Sequence, residues 1–143
     1  MKNLNLLKIL GLCFYLSGCQ LGYTSPSLAN ANNEEKLRTE LKQIEQQNSP
    51  GYITGNYESW RNLMGQYVIV GTLTNAADLS TFKDIALEIT FMSKTETVLD
   101  VQNHTVYESI GPKRSVLFKV KTDAPPATES YSVRIINAIP VGN

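Results

Sequence analysis

Apolar and polar residues alternate with a period of two through much of the chain after Gly65. The clearest stretch is residues 83–92, where the apolar residues of one face are Ile85, Leu87, Ile89 and Phe91. Strict alternation is typical of a strand that buries one face and exposes the other. We therefore expect an amphipathic strand here, with these four side chains in the core.

Similar but shorter patterns recur along the rest of the chain. The predicted strands lie at 66–75, 83–92, 97–101, 105–110, 116–121 and 131–136, with a candidate seventh at 52–58. Turn residues separate them, and no helical pattern intervenes. Short strands at this spacing predict a mainly β fold, a small immunoglobulin- or fibronectin-III-like antiparallel β-sandwich over 66–143.

One helical segment precedes the strands. Residues 34–48 are rich in Glu, Lys, Gln and Leu, which favour helix, and Pro50 and Gly51 then end it. Its apolar stripe consists of Leu37, Leu41 and Ile44 at i, i+4 and i+7. Two heptads are too few to predict a coiled coil. The stripe either docks on the domain or is solvated, or it binds a second helix or a partner.

The remaining segments are predicted to be connections. Residues 19–33 contain Gly, Ser, Asn and Pro and are expected to form a flexible tether. Residues 49–65 form a connecting segment with Trp60, the chain's single tryptophan. An exposed Trp60 would contact a partner. The hypothesis we favour is that Trp60 plugs one end of the sandwich.

The chain begins like a secretory signal, with Lys2 and Lys8, an apolar run over 4–16, and small residues at 17 and 18. This run is shorter than the roughly 20 residues of a spanning helix. The four residues Leu16, Ser17, Gly18 and Cys19 resemble a bacterial lipobox. The resemblance implies a signal peptide over 1–18, removed before Cys19.

Cys19 would then carry a diacylglyceryl group on its thiol and a further acyl chain, such as palmitate, on its amino group. Acyl chains of this kind hold a protein on a bilayer by burying CH₂ groups. The alternative is a free or disulfide-bonded Cys19 in a signal that is cut elsewhere. Under the enterobacterial sorting scheme, Gln20 favours the outer membrane over the inner membrane.

Composition excludes several classes of function. The 13 basic and 13 acidic side chains balance, so nothing indicates a nucleic-acid partner. The chain has two cysteines, and Cys13 lies in the signal. No catalytic motif occurs, and the single histidine, His104, is expected at the surface. We therefore predict a protein that is not an enzyme and has no cofactor or metal.

Charged residues near turns have two interpretations. The acids Asp78, Asp84, Asp100 and Asp123 could offer oxygens to Ca²⁺, but turn-initiating and capping roles are favoured. The basic residues Lys113, Arg114, Lys119 and Lys121 could meet lipid head groups or an acidic partner. A solvated face that discourages edge pairing is the interpretation we favour, with Lys119 and Lys121 on one side of a strand.

A second resemblance rests on the order of several motifs. They are Val70-Gly71-Thr72-Leu73-Thr74-Asn75, Phe82-Lys83-Asp84-Ile85 with Leu87, Ile89 and Phe91, Ile110-Gly111-Pro112, Phe118-Lys119-Val120-Lys121-Thr122-Asp123-Ala124-Pro125, and Tyr131. This order resembles FxLYD-type immunoglobulin-like domains of bacterial surface proteins. Met92-Ser93-Lys94 departs from the usual tyrosine-aspartate hairpin. The resemblance implies an adhesive or scaffolding module that is not an enzyme.

The sequence thus predicts a membrane-anchored envelope lipoprotein that presents a β-sandwich to another envelope component. The candidate partner-binding residues are Leu37, Leu41, Ile44, Trp60, Asp78 and Asp123, the last two in loops 75–80 and 123–126 that we expect to carry the contacts. The alternative is an accessory or pilot lipoprotein of a secretion or surface-appendage assembly, docking through its helix. An envelope hydrolase is a distant third.

Overall fold

The computed structural model describes residues 28–142. The elements in chain order are α1 (Leu28–Gln47), a 3₁₀ helix (Ser49–Tyr52), β1 (Ile53–Arg61), β2 (Tyr67–Asn75), β3 (Phe82–Met92), β4 (Val98–Val106), β5 (Ser115–Thr122) and β6 (Ser130–Pro140). The signal peptide, the lipobox and most of the predicted tether lie outside the described residues.

The six strands form two antiparallel three-stranded sheets. The first has the order β1-β2-β5 and the second the order β4-β3-β6, so β2 and β3 are the central strands. The chain changes sheets after β2, after β4 and after β5. This arrangement confirms the predicted small antiparallel β-sandwich, with one strand fewer than the seven of a constant-type immunoglobulin domain.

The core lies between the two sheets. In β3 the buried positions are Phe82 at its start and then Ile85, Leu87, Ile89 and Phe91, the face that the alternation predicted. From β2, Ile69 and Leu73 pack against them. Full burial of one such side chain is worth about 1.5–3 kcal/mol, so these residues are a principal source of stability.

The segment 49–65, expected as a connection, contains regular structure. Its 3₁₀ helix lies against β6, where the buried Ser49 hydroxyl donates a hydrogen bond to the Ala138 carbonyl oxygen. β1 then pairs with β2 along its whole length. This strand extends to Arg61, beyond the candidate at 52–58. Polar residues such as Asn56 and Glu58 do not interrupt it, because they are tolerated on the solvent face of an edge strand.

A second difference concerns the predicted strands at 97–101 and 105–110. They are replaced by the single strand β4, which continues through Gln102, Asn103 and His104. β4 pairs with β3 on one side and lies at the edge of its sheet. An edge strand needs less apolar surface than a central one, which is why a polar stretch does not interrupt it.

The helix also differs from the prediction at its start. α1 begins at Leu28, inside the segment 19–33 that we expected to be a flexible tether, and it ends at Gln47. Ala29 and Ala31 have the highest helix propensity of any residue type, and no proline lies between 28 and 47. Local propensity therefore extends the helix upstream of the strongly charged stretch.

Candidate functional site

The apolar stripe of α1 does not pack on the sandwich. Leu37, Leu41 and Ile44 are 64%, 37% and 55% exposed. Every described helix side chain from 30 to 41 is exposed as well. Of the alternatives that the sequence left open, docking of the stripe on the domain is therefore wrong.

A different helix residue attaches α1 to the sandwich. Glu45 is fully buried, and its carboxylate accepts hydrogen bonds from three consecutive backbone N–H groups. The distances are 2.6 Å to Asp78 N, 3.1 Å to Leu79 N and 2.8 Å to Ser80 N. Sequence reasoning missed this contact, because a glutamate in a Glu-rich helix gives no signal that it is buried.

The loop between β2 and β3 is consequently occupied by the chain's own helix. We expected loop 75–80 to present Asp78 to a partner. Its N–H groups instead face Glu45, while the Asp78 carboxylate pairs with Lys113 at 3.0 Å. Lys113 also donates a hydrogen bond to the Ala76 carbonyl oxygen at 2.7 Å. The backbone of this loop serves an internal contact.

Trp60 lies on the outer face of the first sheet and not at an end of the core. It is directly opposite Val68 in the register, and it is 47% exposed. Val68 alternates with the inward-facing Ile69, so both side chains are on the outer face. Val68 is nevertheless buried. Its neighbours in the register are Trp60 on β1 and Lys121 on β5. Because Trp60 lies on the outer face and is about half exposed, the plug hypothesis is wrong.

A groove of about 940 Å³ crosses the outer face of the same sheet. Its central part is lined by β2 residues 70–72, with residues 56–58 of β1 on one side and 117–120 of β5 on the other. Residues 105–108, at the end of β4, extend the lining beyond β5. The groove therefore runs over the free edge of β5 towards the second sheet.

Two large side chains of this groove are strongly exposed. Leu117 is 77% exposed and Tyr107 is 80% exposed. Two acids, Glu58 and Glu108, and one base, Lys119, also line it, and the register places Glu58 and Lys119 on either side of Val70. Exposed apolar area between charged side chains is a common property of protein interaction sites. Nothing in the sequence singled out these positions as neighbours.

The inner side of β4 is polar. Its register with buried β3 residues turns Asp100, Gln102 and His104 towards the space between the sheets. The Gln102 amide donates to Asp100 Oδ2 at 2.7 Å and to the Asp123 carbonyl oxygen at 2.8 Å. The Thr122 hydroxyl donates to Gln102 Oε1. These contacts join the edges of the two sheets.

His104 differs from the prediction of a surface side chain. It is only partly exposed, and its Nε2 atom is buried without a hydrogen-bond partner among the described residues. Asp123, which we expected to contact a partner, accepts a hydrogen bond from the Gln66 amide at 3.0 Å. Lys119 and Lys121 are exposed on the same outer face of β5, as predicted.

Between residues 28 and 142, no three His, Cys, Asp or Glu side chains gather closely enough to bind a metal ion. Within the same range, α1 lacks the continuous apolar length with which a helix crosses a bilayer.

Comparison with known proteins gives one weak likeness. No protein-family model matches the chain, and no curated protein sequence does. Among solved structures, the chain is similar to the Salmonella enterica trimeric lipoprotein SadB, with 14% identity and a TM-score of 0.43 over 80% of this chain and 77% of that chain. A likeness of this degree transfers neither fold nor function. The FxLYD resemblance stays a prediction.

Proposed function

We propose that the chain is a lipid-anchored protein of the bacterial envelope whose β-sandwich binds or supports another envelope component. The groove across the first sheet is the observation that carries the binding role. It offers exposed Leu117 on strand β5 and exposed Tyr107 directly after the end of β4, so the sheets hold both positions in place. The anchor is supported by the Leu16-Ser17-Gly18-Cys19 motif and the short apolar run before it.

Lipidation of Cys19 is the first prediction. We expect cells fed an alkyne fatty acid to label the wild-type protein and not the Cys19→Ala variant, because alanine has no thiol to accept the diacylglyceryl group. The Cys13→Ala variant is the matched control and should label like wild type. Equal labelling of wild type and Cys19→Ala would contradict the anchor.

The groove is favoured over the loops that the sequence suggested. The backbone of loop 75–80 is engaged by Glu45, and Asp123 is hydrogen-bonded to Gln66. The groove side chains Leu117 and Tyr107, in contrast, have most of their surface in solvent. Large side chains with exposed apolar area are the ones that gain most from burial against a partner.

A second candidate function is favoured by the exposure of the α1 stripe. Leu37, Leu41 and Ile44 form an uncovered apolar row on a helix that is attached to the sandwich near its end. An accessory or pilot lipoprotein of a secretion or surface-appendage assembly would use such a row for docking. In that case the sandwich would position the helix and would not itself bind.

Site-specific photo-crosslinking in intact cells separates the two functions. A photoreactive residue at Tyr107 reports on the groove, one at Leu37 reports on the stripe, and one at Lys94, in an exposed turn, is the control. We expect adducts with an envelope protein from position 107 above the background at position 94. Adducts from position 37 alone would favour the accessory function.

Matched variants then measure the contribution of each surface. We expect the double change Leu117→Asp and Tyr107→Ser to reduce partner capture at least tenfold, which corresponds to about 1.4 kcal/mol. Converting the three stripe residues to Ser should change capture less than about twofold. Both variants should keep the wild-type melting temperature, because all the altered side chains are exposed. If the stripe variant loses partner capture and the groove variant keeps it, with both melting temperatures unchanged, then the helix and not the groove is the binding surface.

That the chain is not an enzyme and has no cofactor stays a prediction, as does its placement in the outer membrane. An envelope hydrolase stays the distant alternative. It would require a nucleophile and a base within hydrogen-bond reach.

A further inference from the structure

The attachment of α1 to the sandwich centres on Glu45 and its three N–H contacts. The Ser80 hydroxyl also donates a hydrogen bond to the Lys42 carbonyl oxygen, at 3.4 Å. Within residues 30–47, Glu45 is buried and Lys42 and Gln46 are half-buried, while the side chains from 30 to 41 face solvent. The Glu45 carboxylate is therefore a principal contact that sets the direction of the helix relative to the sandwich.

The loop that receives Glu45 has internal support of its own. The buried Asn75 amide donates to the Ser80 carbonyl oxygen at 2.8 Å and to the Ile110 carbonyl oxygen at 3.0 Å. Asn75 Oδ1 accepts a hydrogen bond from Ala77 N at 2.9 Å. These contacts hold both ends of the loop independently of the helix. Withdrawal of Glu45 would leave the loop and the sandwich in place.

The charged side chains around Glu45 indicate that the helix contact is controlled by protonation of Glu45 itself. Asp78 in the loop is paired with Lys113 from the β4–β5 connection, so its charge is offset locally. Lys42 lies one turn earlier on the helix, and its carbonyl oxygen accepts from Ser80. The donors within reach of the Glu45 carboxylate are three backbone N–H groups and the Ser80 hydroxyl, which do not change charge with pH. A protonated carboxyl binds such donors more weakly than an ionised one.

From this geometry we infer that Glu45 is a proton-operated clamp. When its carboxylate is ionised, it fixes α1 in one direction on the sandwich. When the carboxylate takes up a proton, the helix is released while the sandwich stays folded. The helix and the sandwich are thus one rigid body at neutral pH and two independently moving parts in acid. The inference concerns this internal contact and holds whether or not the proposed function is correct.

The pH at which the clamp opens follows from the sign of the pKa shift. Burial by itself raises the pKa of Glu45, but the hydrogen bonds from Asp78, Ser80 and Leu79 outweigh burial and lower it. Because the pKa is lowered in the folded state, the stabilisation that ionised Glu45 gives to the attachment of α1 is fully present above the pKa of an unfolded glutamate, about 4.3. This stabilisation is lost as the pH falls through the lower, folded-state pKa. The clamp therefore opens below about pH 4.3 and stays closed at neutral pH.

Nuclear magnetic resonance of the full chain in detergent micelles tests the clamp. As the pH falls from 7 to 3, we expect the amide resonances of Asp78, Leu79 and Ser80 to shift together, with one midpoint below about 4.3. Over the same range, order parameters of helix amides 34–45 should fall from about 0.85 to below about 0.6. Core resonances of Ile69 and Leu87 should stay dispersed, which shows that the sandwich is folded.

Two glutamine variants of the same helix provide the comparison. Glu45→Gln removes the charge and should leave the helix mobile at pH 7, with no further loss of helix order as the pH falls to 3. Glu40→Gln alters an exposed glutamate and should behave like wild type. Three results would overturn the clamp: helix order unchanged in Glu45→Gln at pH 7, an acid-dependent loss of helix order that persists in that variant, or loss of core dispersion at the pH where the helix is released. The wild-type titration decides the matter even if Glu45→Gln does not fold.

Discussion

Replacement of Phe91 by alanine is expected to lower the free energy of unfolding by about 3–5 kcal/mol. Phe91 lies on the central strand β3 without exposed surface, and its ring centroid is 5.7 Å from that of Tyr67. Truncation would remove the ring and leave a cavity that two flanking strands prevent from closing. The described residues contain no cysteine, so no disulfide offsets the loss. Because small domains have total stabilities of about 5–15 kcal/mol, this loss would remove a large fraction of the stability of the domain.

Urea denaturation followed by the fluorescence of Trp60 measures the change in the full chain. The control is Leu117→Ala, which also truncates a large apolar side chain but at a solvent-exposed position. It should alter the unfolding free energy by less than about 0.5 kcal/mol. Similar losses for the two variants would mean that Phe91 is not in a closely packed core.

Substitution of Gly71 by alanine should destabilise the protein by about 1–3 kcal/mol through overpacking. Gly71 is in the middle of β2, opposite Tyr57 of β1 and Phe118 of β5. A Cβ atom there would lie 2.2 Å from the Asn56 carbonyl oxygen and 2.8 Å from a carbon of the Phe118 ring. The first neighbour is backbone and can yield only if β1 moves. This strain opposes the gain of about 0.5–1 kcal/mol that alanine otherwise brings over glycine in a strand.

The matched control is Gly111→Ala, in a turn, where the nearest atom to an added Cβ is a side-chain carbon of Arg114 at 3.7 Å. That distance is ordinary contact, so the control should be neutral. Hydrogen exchange adds a local measurement, since β1 amides should exchange faster in Gly71→Ala than in Gly111→Ala. A neutral or stabilising effect of Gly71→Ala would show that β1 and β2 are farther apart than the structure places them.

The sequence predicts strands best where one face is buried and the apolar residues alternate regularly. The alternation in β3 correctly identified its buried face, and β2 and β5 were found to within one residue at each end, while β6 continues to Pro140 beyond the predicted end at 136. β1 and β4, two of the four edge strands, were harder. β1 contains Gly55 and Asn56, which are typical of turns, and β4 contains the polar run 102–104. An edge strand has one hydrogen-bonded neighbour and therefore tolerates such residues, which hide its period-two pattern; β5 and β6 are also edges but keep the alternation.

The contacts that define the candidate surfaces could not be predicted from local sequence patterns, because they join residues that are far apart in the chain. Glu45 binds N–H groups 33 to 35 residues away, and a backbone donor leaves no mark in the sequence. The groove joins residues of four strands, so it exists only through the register of β1, β2 and β5. The exposed stripe of α1 was recognised from its spacing. Its solvent exposure was not, because spacing describes one helix face and not what covers it.

The Glu45 contact also determines where mechanical load enters the protein. A pull on the chain ahead of α1 would otherwise act directly on Ile53, the first residue of edge strand β1, and would peel that strand from β2 one hydrogen bond at a time. With Glu45 bound, the pull passes first to the loop that connects β2 to β3, the central strands of both sheets. The Ser49 hydrogen bond to β6 adds a second point of attachment before β1. The edge strand is thereby shielded from traction at the N-terminal side of the domain.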